Sequence, residues 1–594
     1  MDQRNLVIAV VISILIMVGY EQFFAPPKVP APQTAGAPSA PSVSNSASGT
    51  LTSPSPMDLS LPDLPRPGVS GSPAEVAGGS RQAALEAVPR VRINSPRLHG
   101  SISLKGARID DLTLADYREE ISKLSPEIVL LKPAVGDEGY FSEFGWQPVA
   151  SQIVVPRQDT VWTADGDTLS PDNPVTLRWD NGAGLRFERM YAIDNNYMFT
   201  VVQRVVNSGN SEVVLRPYGL VQRRGTPNVS GFYILHEGPL GVLQGSLKEI
   251  NYQDGACFIF CNDYLKGKKP IIYENSKGGW AGFTDKYWLA ALIPDQQDTV
   301  QATFQYGQPN GQDQYQVNFV GGAATVAPGA TYESTSRLFA GAKEVALLDA
   351  YEADLSITHF DRAIDFGWFY WLTKPIFHAL NYLFVLSGNF GIAIMALTVF
   401  IKLLFFPLAN KSYVAMSKMK KLQPELVKLR ERFGEDRTRM NQEMMALYKR
   451  EGANPVSGCL PMLIQIPVFF SLYKVLFVTI EMRQAPFYGW IKDLSQPDPT
   501  TIFNLFGLIP WTPPELLAHL GLWPIIMGVT MFFQQKLNPQ PADPVQAKIF
   551  LFMPLVFTAL LASFPAGLVI YWAWNNVLSI LQQWTIMRRM GVKA

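Results

Sequence analysis

Residues 391–408 read GIAIMALTVFIKLLFFPL, eighteen positions with a single charge. As a helix, such a run can cross a hydrocarbon layer ~30 Å thick. Its charge, Lys402, lies about 9 Å along the axis from Leu408 at a rise of ~1.5 Å per residue. Thr398, one turn earlier, shares its face. An ionisable residue inside a span marks a polar cavity or pathway, unless its long stem lets the ammonium snorkel to the headgroups. Taken alone, the lysine fits either reading.

Four further apolar runs, 459–477, 516–533, 549–564 and 566–587, follow it. Prolines 461, 467, 524 and 554 interrupt them, which neighbouring helices can tolerate by re-satisfying the backbone. Near the start, 6–20 is an uncharged apolar run after Arg4, followed by Phe23, Phe24, Ala25, Pro26 and Pro27. Those bulky residues make a poor cleavage site, so 1–25 is expected to be an uncleaved signal-anchor helix with its N-terminus inside. Residues 26–85, rich in Pro, Ala, Ser and Gly, cannot bury enough surface to fold and are expected to be a disordered linker.

With the N-terminus inside, the positive-inside rule gives a consistent topology. The β domain, 86–345, then lies outside and the basic stretch 411–454 inside. Lys536 and Lys548 fall in an inner loop, and Arg588, Arg589 and Lys593 at an inner C-terminus. The chain is therefore expected to be multi-pass in a membrane, with both termini cytoplasmic. Net charge is zero, so its distribution rather than its total is informative. Three cysteines make no disulfide scaffold. Cys257 and Cys261, spaced CxxxC, could bridge in a helix or turn but not along a strand. They are read as free thiols, and Cys459 as a packing residue.

Residues 86–345 alternate in the manner of strands, as at 175–179, 199–206, 212–220 and 299–306. Turn signals separate them: Asp180-Asn181-Gly182, Asn207-Ser208-Gly209 and Pro309-Asn310-Gly311. The expectation is a large extracytoplasmic all-β sandwich. No enzyme constellation is visible; His99, His236 and His359 are scattered. Trp146, Trp162, Trp179 and Trp280 could stack on a sugar ring, but core packing is the expected use. Residues 346–389 read as a linker and an aromatic amphipathic helix in the outer interface, interrupted at Lys374-Pro375.

The core is expected over 390–590, as five spans plus a cytoplasmic helical hairpin at 411–454. In the hairpin, Met419, Leu422, Leu426, Leu429 and Phe433 form a heptad seam, continued by Met440, Met444 and Leu447. Gly434 is expected to stop the first helix. Lys418, Lys420, Lys421, Arg430, Arg432 and Arg437 are candidates for contact with a ribosome, a nascent chain or lipid headgroups, or else form a solvated face.

None of the five spans contains Asp or Glu. A proton- or sodium-coupled transporter usually keeps a carboxylate at mid-membrane. An intramembrane protease would need a buried Ser–His pair, but the one histidine within the spans, His519, lies near an outer end. What remains is a polar, nearly uncharged set: Lys402, Thr398, Gln465, Ser471, Gln534, Gln535, Tyr571, Trp572, Asn575 and Asn576. Each could simply bond between helices, and Lys474 is expected to snorkel at an outer end. Together with Lys402 they could instead line a wet groove that accepts a polar or acidic peptide segment. No enzyme, cofactor, metal or nucleotide is called for. A small-molecule transporter, or a membrane-tethered sugar-binding or envelope-scaffold protein, are the alternatives.

Several local motifs resemble the Gram-negative YidC insertases. They are Met416-Ser417-Lys418-Met419, the stretch QEMMALYK at 442–449, GCLPMLIQIP at 458–467, RQAPF at 483–487, MGVTMFF at 527–533 and FPAGL at 564–568. The resemblance is strong from about 366 to 589, weaker across the β domain, and absent from the linker. It implies a supersandwich fold for the β domain, related to sugar-binding folds. It also implies a hydrophilic groove open to cytoplasm and lipid, with one important cation in the first core span. By motif position that cation is Lys402, where the family commonly has arginine. Lysine keeps the charge but lacks the planar bidentate fork. The implied function is insertion of hydrophobic nascent chains, released sideways into a bacterial inner membrane. The implied partners are nascent membrane proteins, the ribosome, the Sec translocon with its accessory subunits, and the bilayer.

Overall fold

The computed structural model describes residues 80–591, except 136–137, 151, 231–234, 254–263, 434–435, 453–459, 508, 510, 512–519 and 539–543. The expected anchor at 1–25, the linker up to 79, Cys257, Cys261, Cys459, Gly434 and His519 lie outside the described residues, as do the side chains of Arg430 and Arg437.

After a short helix α1 (Arg81–Glu86), the period-2 segments pair into two sheets. The strand Leu185–Ile193 shows why: Leu185, Phe187, Arg189, Tyr191 and Ile193 all turn inward, and their neighbours turn outward. It pairs antiparallel with Met198–Asn207, which pairs in turn with Thr331–Ala342. These strands centre a nine-stranded sheet. The other sheet has eleven strands and is centred on Val213–Arg224 and Glu138–Pro148. Rings from the two sheets interlock: Tyr140 packs edge-on against Phe283 at 6.1 Å, and Trp146 against Tyr332 at 5.9 Å. Each fully buried side chain of this size contributes roughly 1.5–3 kcal/mol. Trp146, Trp162 and Trp280 are buried and Trp179 packs on Phe187, so all four tryptophans serve the core. Gly282 is required by close approach, since a Cβ there would lie 2.0 Å from the Ala290 carbonyl oxygen of the next strand.

The segment 346–389, expected to include a linker, is instead a packed connector. Helix α2 (Val345–Asp354) buries Leu348 and Tyr351, and Ile357, Phe360, Ala363, Ile364 and Phe366 are buried after it. Helix α3 (Tyr370–Ser387) then runs through Lys374-Pro375 without a break. Lys374 is held by Asp349 at 2.8 Å and Asp361 at 2.6 Å, which ties α3 to the connector. One face of α3 buries Thr373, Ile376, Phe377 and Leu380, while Trp371, Tyr382, Val385 and Leu386 stand exposed. Gly388, at φ +68°, ends α3, and the Asn389 side chain accepts from the N–H groups of Gly391 and Ile392 to start the next helix. Glycine in the left-handed cap and asparagine at the N-cap are what a tight helix–helix corner requires.

That next helix, α4 (Phe390–Leu404), stops one residue before α5 (Phe406–Phe433). The stretch expected as one straight span is thus bent by 71° at Phe405. Pro407 explains the break, because it lacks an N–H and its ring would clash with the carbonyl four residues back. The hairpin's first helix therefore grows directly out of the core. It returns through α6 (Arg437–Arg450), with Leu422 and Leu447 buried against Met419, Leu426, Leu429 and Tyr448, much as the heptad spacing predicts.

The core continues with α7 (Leu460–Val478), α8 (Leu522–Leu537), α9 (Pro544–Leu561) and α10 (Ala566–Arg589). Among the described residues no single helix is both long and apolar enough to cross a membrane; the bent α4–α5 pair has the length and composition together. The expected span 516–533 is realised as a helix beginning only at Leu522. At ~1.5 Å per residue its 16 residues reach about 24 Å. Helix α10 is longer but carries a polar face, described below.

The sandwich is bolted to the outer end of this core. Lys474 of α7 pairs with Asp365 at 2.7 Å and also donates to the Asp365 carbonyl. The expectation that Lys474 snorkels is therefore corrected: a carboxylate from the connector lies within reach and is the stronger partner. Arg483 donates to the Arg118 carbonyl, and Glu481 accepts from Val345 N–H at 3.0 Å. The second Glu481 carboxylate oxygen is buried without a hydrogen-bond partner among the described residues. Burial, with the nearby charge of Glu344, pushes this carboxyl up from an ordinary 4.5 to about 7. Between pH 4.5 and 7 the unfolded chain releases this proton while the folded chain keeps it, so stability falls with pH through that window and is level above it. The cost above pH 7 is on the order of 3 kcal/mol. Glu481→Gln is expected to raise the unfolding temperature in detergent by a few degrees at pH 8 and to leave it unchanged at pH 4. An equal gain at both pH values would mean the carboxyl is not the cause.

Candidate functional site: a polar seam in the helical core

Tyr571, Asn575, Ser579 and Gln583 stand at i, i+4, i+8 and i+12 on α10, so they share one face. All four are buried, as is Asn576 beside them. An apolar helix would give this face to leucines; here it is a line of hydrogen-bonding groups. Neighbouring helices supply partners at intervals along it. The Gln465 amide of α7 donates to the Tyr571 hydroxyl. The Asn576 amide of α10 donates to Thr530 Oγ1 on α8 at 3.2 Å, and Gln583 donates to Asn538, which caps α8, at 3.2 Å.

Lys402 enters this line from α4. Its ammonium donates to Ser579 Oγ at 2.8 Å, and Ser579 donates in turn to the Asn575 carbonyl at 2.8 Å. Lys402 lies in the last turn of α4, where a cation also offsets the negative end of the helix dipole. The side chain thus reaches inward to α10 rather than outward to headgroups. None of the seam residues named here is acidic, so the positive charge has no counter-ion among them.

The seam is incompletely satisfied. Asn575 Oδ1 and Gln583 Oε1 are buried with no hydrogen-bond partner among the described residues. Each such orphan costs about 1–3 kcal/mol, a cost that a polar ligand or water removes.

Of the eight residues expected to line the groove, Lys402, Gln465, Tyr571 and Asn575 come together here. Thr398 is buried, and its hydroxyl donates to Ile394 on its own helix at 2.7 Å. Trp572, one position on from Tyr571, points to another face and packs edge-on against Phe469 at 4.8 Å. Ser471 is completely buried, and its hydroxyl has no hydrogen-bond partner among the described residues. Gln534 is half-buried on α8, next to Gln535, whose amide donates to the Phe550 carbonyl of α9. Sequence reasoning missed Ser579, Gln583, Thr530 and Asn538. The four-residue spacing along α10 was the available signal for the first two. On the hairpin, Lys421 donates to the Met590 carbonyl at the end of α10 at 2.8 Å, while Lys418 and Arg432 are exposed.

Comparison with known proteins agrees with this architecture. The family described as YidC periplasmic domain matches residues 90–379, and that described as 60Kd inner membrane protein matches 382–593. The chain belongs to the YidC membrane protein insertase family. The β-sandwich is accordingly the YidC family's periplasmic domain, and the helical half its inner-membrane portion. A YidC relative from Methylorubrum extorquens is 51% identical over 596 residues, covering 100% of this chain and 96% of its own. One from Granulibacter bethesdensis is 50% identical, covering 99% and 98%. Both are named membrane protein insertase YidC. A crystal structure titled as an active YidC insertase with its first transmembrane domain resolved aligns at 18% identity over 83% of this chain and 92% of its own, with a TM-score of 0.35.

Proposed function

We propose that this protein inserts membrane proteins by lodging the polar flank of a nascent chain in the seam between α4, α7, α8 and α10. The observation that carries the reading is the Lys402 ammonium, bonded to a hydroxyl and set among buried acceptors that lack partners. Such a site attracts an acidic or polar segment and reduces the cost of burying it. It offers no bond chemistry. Helix α4 has 15 residues, about 22 Å, which is shorter than a ~30 Å hydrocarbon layer. A flank held there has less apolar thickness to cross. The apolar part of the client then leaves sideways into lipid, driven by burial at ~25 cal/mol per Å².

In this reading the N- and C-termini and the α5–α6 hairpin face the cytoplasm. The hairpin's cations, Lys418, Lys420, Lys421, Arg430, Arg432 and Arg437, meet the nascent chain, its ribosome or lipid. The Sec translocon and its accessory subunits work alongside on some clients. Photocrosslinkers at Gln465 and Gln534, both half-buried, test the seam with ribosome-stalled clients of increasing length. Leu560 on α9, 49% exposed, is the lipid-facing control. Crosslinks from the two glutamine positions are expected at one client length and to fade as the client grows. Equal crosslinking from Leu560, or none from the glutamines, would make the seam ordinary interhelical packing.

A further inference from the structure

A second polar feature borders the end of the seam at which Gln583 meets Asn538. Lys536 in the last turn of α8 and Trp584 near the end of α10 meet Lys420 of α5 around an open cavity of about 490 Å³, also lined by Phe533, Leu537 and Ile580. That volume is within the ~300–1,000 Å³ usual for small-ligand sites. The lining divides by chemistry: two ammonium groups, no acidic group, and an apolar and aromatic wall. Phe533 and Trp584 are 56% and 43% exposed, so the wall opens outward rather than closing into core.

Among the described residues the two lysines, Lys420 and Lys536, make no ion pair, whereas Arg450 on the same hairpin pairs with Glu425 and Glu451. Lys421, next along the chain, is engaged by the Met590 carbonyl. Lys536 rests over the Phe532 ring at 4.7 Å, which holds the ammonium beside the cavity. Burial lowers the proton affinity of Lys420, and no neighbouring charge offsets it. An anion in the cavity would reverse that shift. A free anion needs no exposed aromatic wall, and an apolar ligand needs no lysine pair; an amphiphile with an anionic head matches both.

We propose that this cavity binds one anionic phospholipid, with its phosphate between Lys420 and Lys536 and its acyl chains along Phe533 and Trp584. The proposal rests on this end of the core lying at the inner membrane–water boundary, as in the function proposed above. The lipid would form part of the wall at that end of α8 and α10, and so couple insertion to the charge of the leaflet.

Native mass spectrometry of the full-length protein in detergent, with phosphatidylglycerol and phosphatidylcholine as probes, tests this without any client. Loss of lipid binding and loss of insertion are therefore separate results. One phosphatidylglycerol per chain is expected to be held in preference to phosphatidylcholine. Lys420→Gln and Lys536→Gln should each weaken it by about tenfold, and Lys428→Gln, on the exposed hairpin surface, should not. If Lys420→Gln misfolds by circular dichroism, Lys536→Gln alone carries the test. Equal retention of both lipids, or unchanged binding in the lysine variants, would overturn the proposal. So would displacement of the lipid by excess inorganic phosphate, marking a free-anion site, or by an acidic peptide, marking a client site.

Discussion

Replacing Lys402 by alanine is expected to cut the rate of client insertion into proteoliposomes by about ten- to a hundredfold. The estimate follows from losing a charge-assisted hydrogen bond worth ~1.5–3 kcal/mol to a captured acidic flank. Because, among the described residues, the lysine bonds only to Ser579 in the seam, its charge matters more than its shape. Lys402→Arg should therefore keep most activity, and Lys402→Gln should lose it. Ser579→Ala removes one hydrogen bond and leaves the charge, so a loss of only a few-fold is expected. Clients whose translocated flank carries no acidic residue should be affected least. Protease protection of the translocated flank is the readout. Wild-type insertion by Lys402→Ala would show that the ammonium merely packs α4 against α10, and that capture lies elsewhere.

The second large effect is expected where the sandwich meets the core. Lys474→Ala leaves Asp365 at a largely buried junction, still accepting from Gly367 and His236 N–H but without its cation. Removing one partner of a buried pair costs about 3–5 kcal/mol, and partial exposure here points to the lower end. The consequence is local: the connector at 364–367 should loosen from α7, with faster amide exchange there and at 236–239. The seam should be undisturbed. Asp365→Asn on top of Lys474→Ala removes the unpaired charge and should recover much of the protection. Unchanged exchange in the single variant would mean that Arg483, Glu481 and the apolar contacts hold the domain without this pair.

Much of the fold was legible because its signals are local. The run at 199–206 anticipates the strand Met198–Asn207, since period-2 alternation is a property of the chain itself. The turn at Pro309-Asn310-Gly311 and the Ser387-Gly388-Asn389 corner follow from residues that tolerate or favour special backbone angles. The hairpin seam followed from heptad spacing, and the family from contiguous motifs. The bend at Phe405 was less legible. Its cause, Pro407, stands in the sequence, yet proline inside apolar helices is often tolerated, as at Pro375, Pro467 and Pro554.

The site was legible in its ingredients and not in its arrangement. Composition identified Lys402 as a cation among amides and hydroxyls in segments without carboxylates. It could not show that Thr398 turns to its own backbone, that Trp572 packs edge-on against Phe469, or that Ser579 is the group Lys402 meets. Lys402 and Ser579 are 177 residues apart, and Lys474 and Asp365 are 109 apart. The sequence by itself determined the periods, the breakers, the charge asymmetry and the family. Tertiary structure alone decided which polar groups face one another. Helical periodicity names a face of a helix but not its neighbour, and only the packing of α4, α7, α8 and α10 turns separate polar faces into one seam.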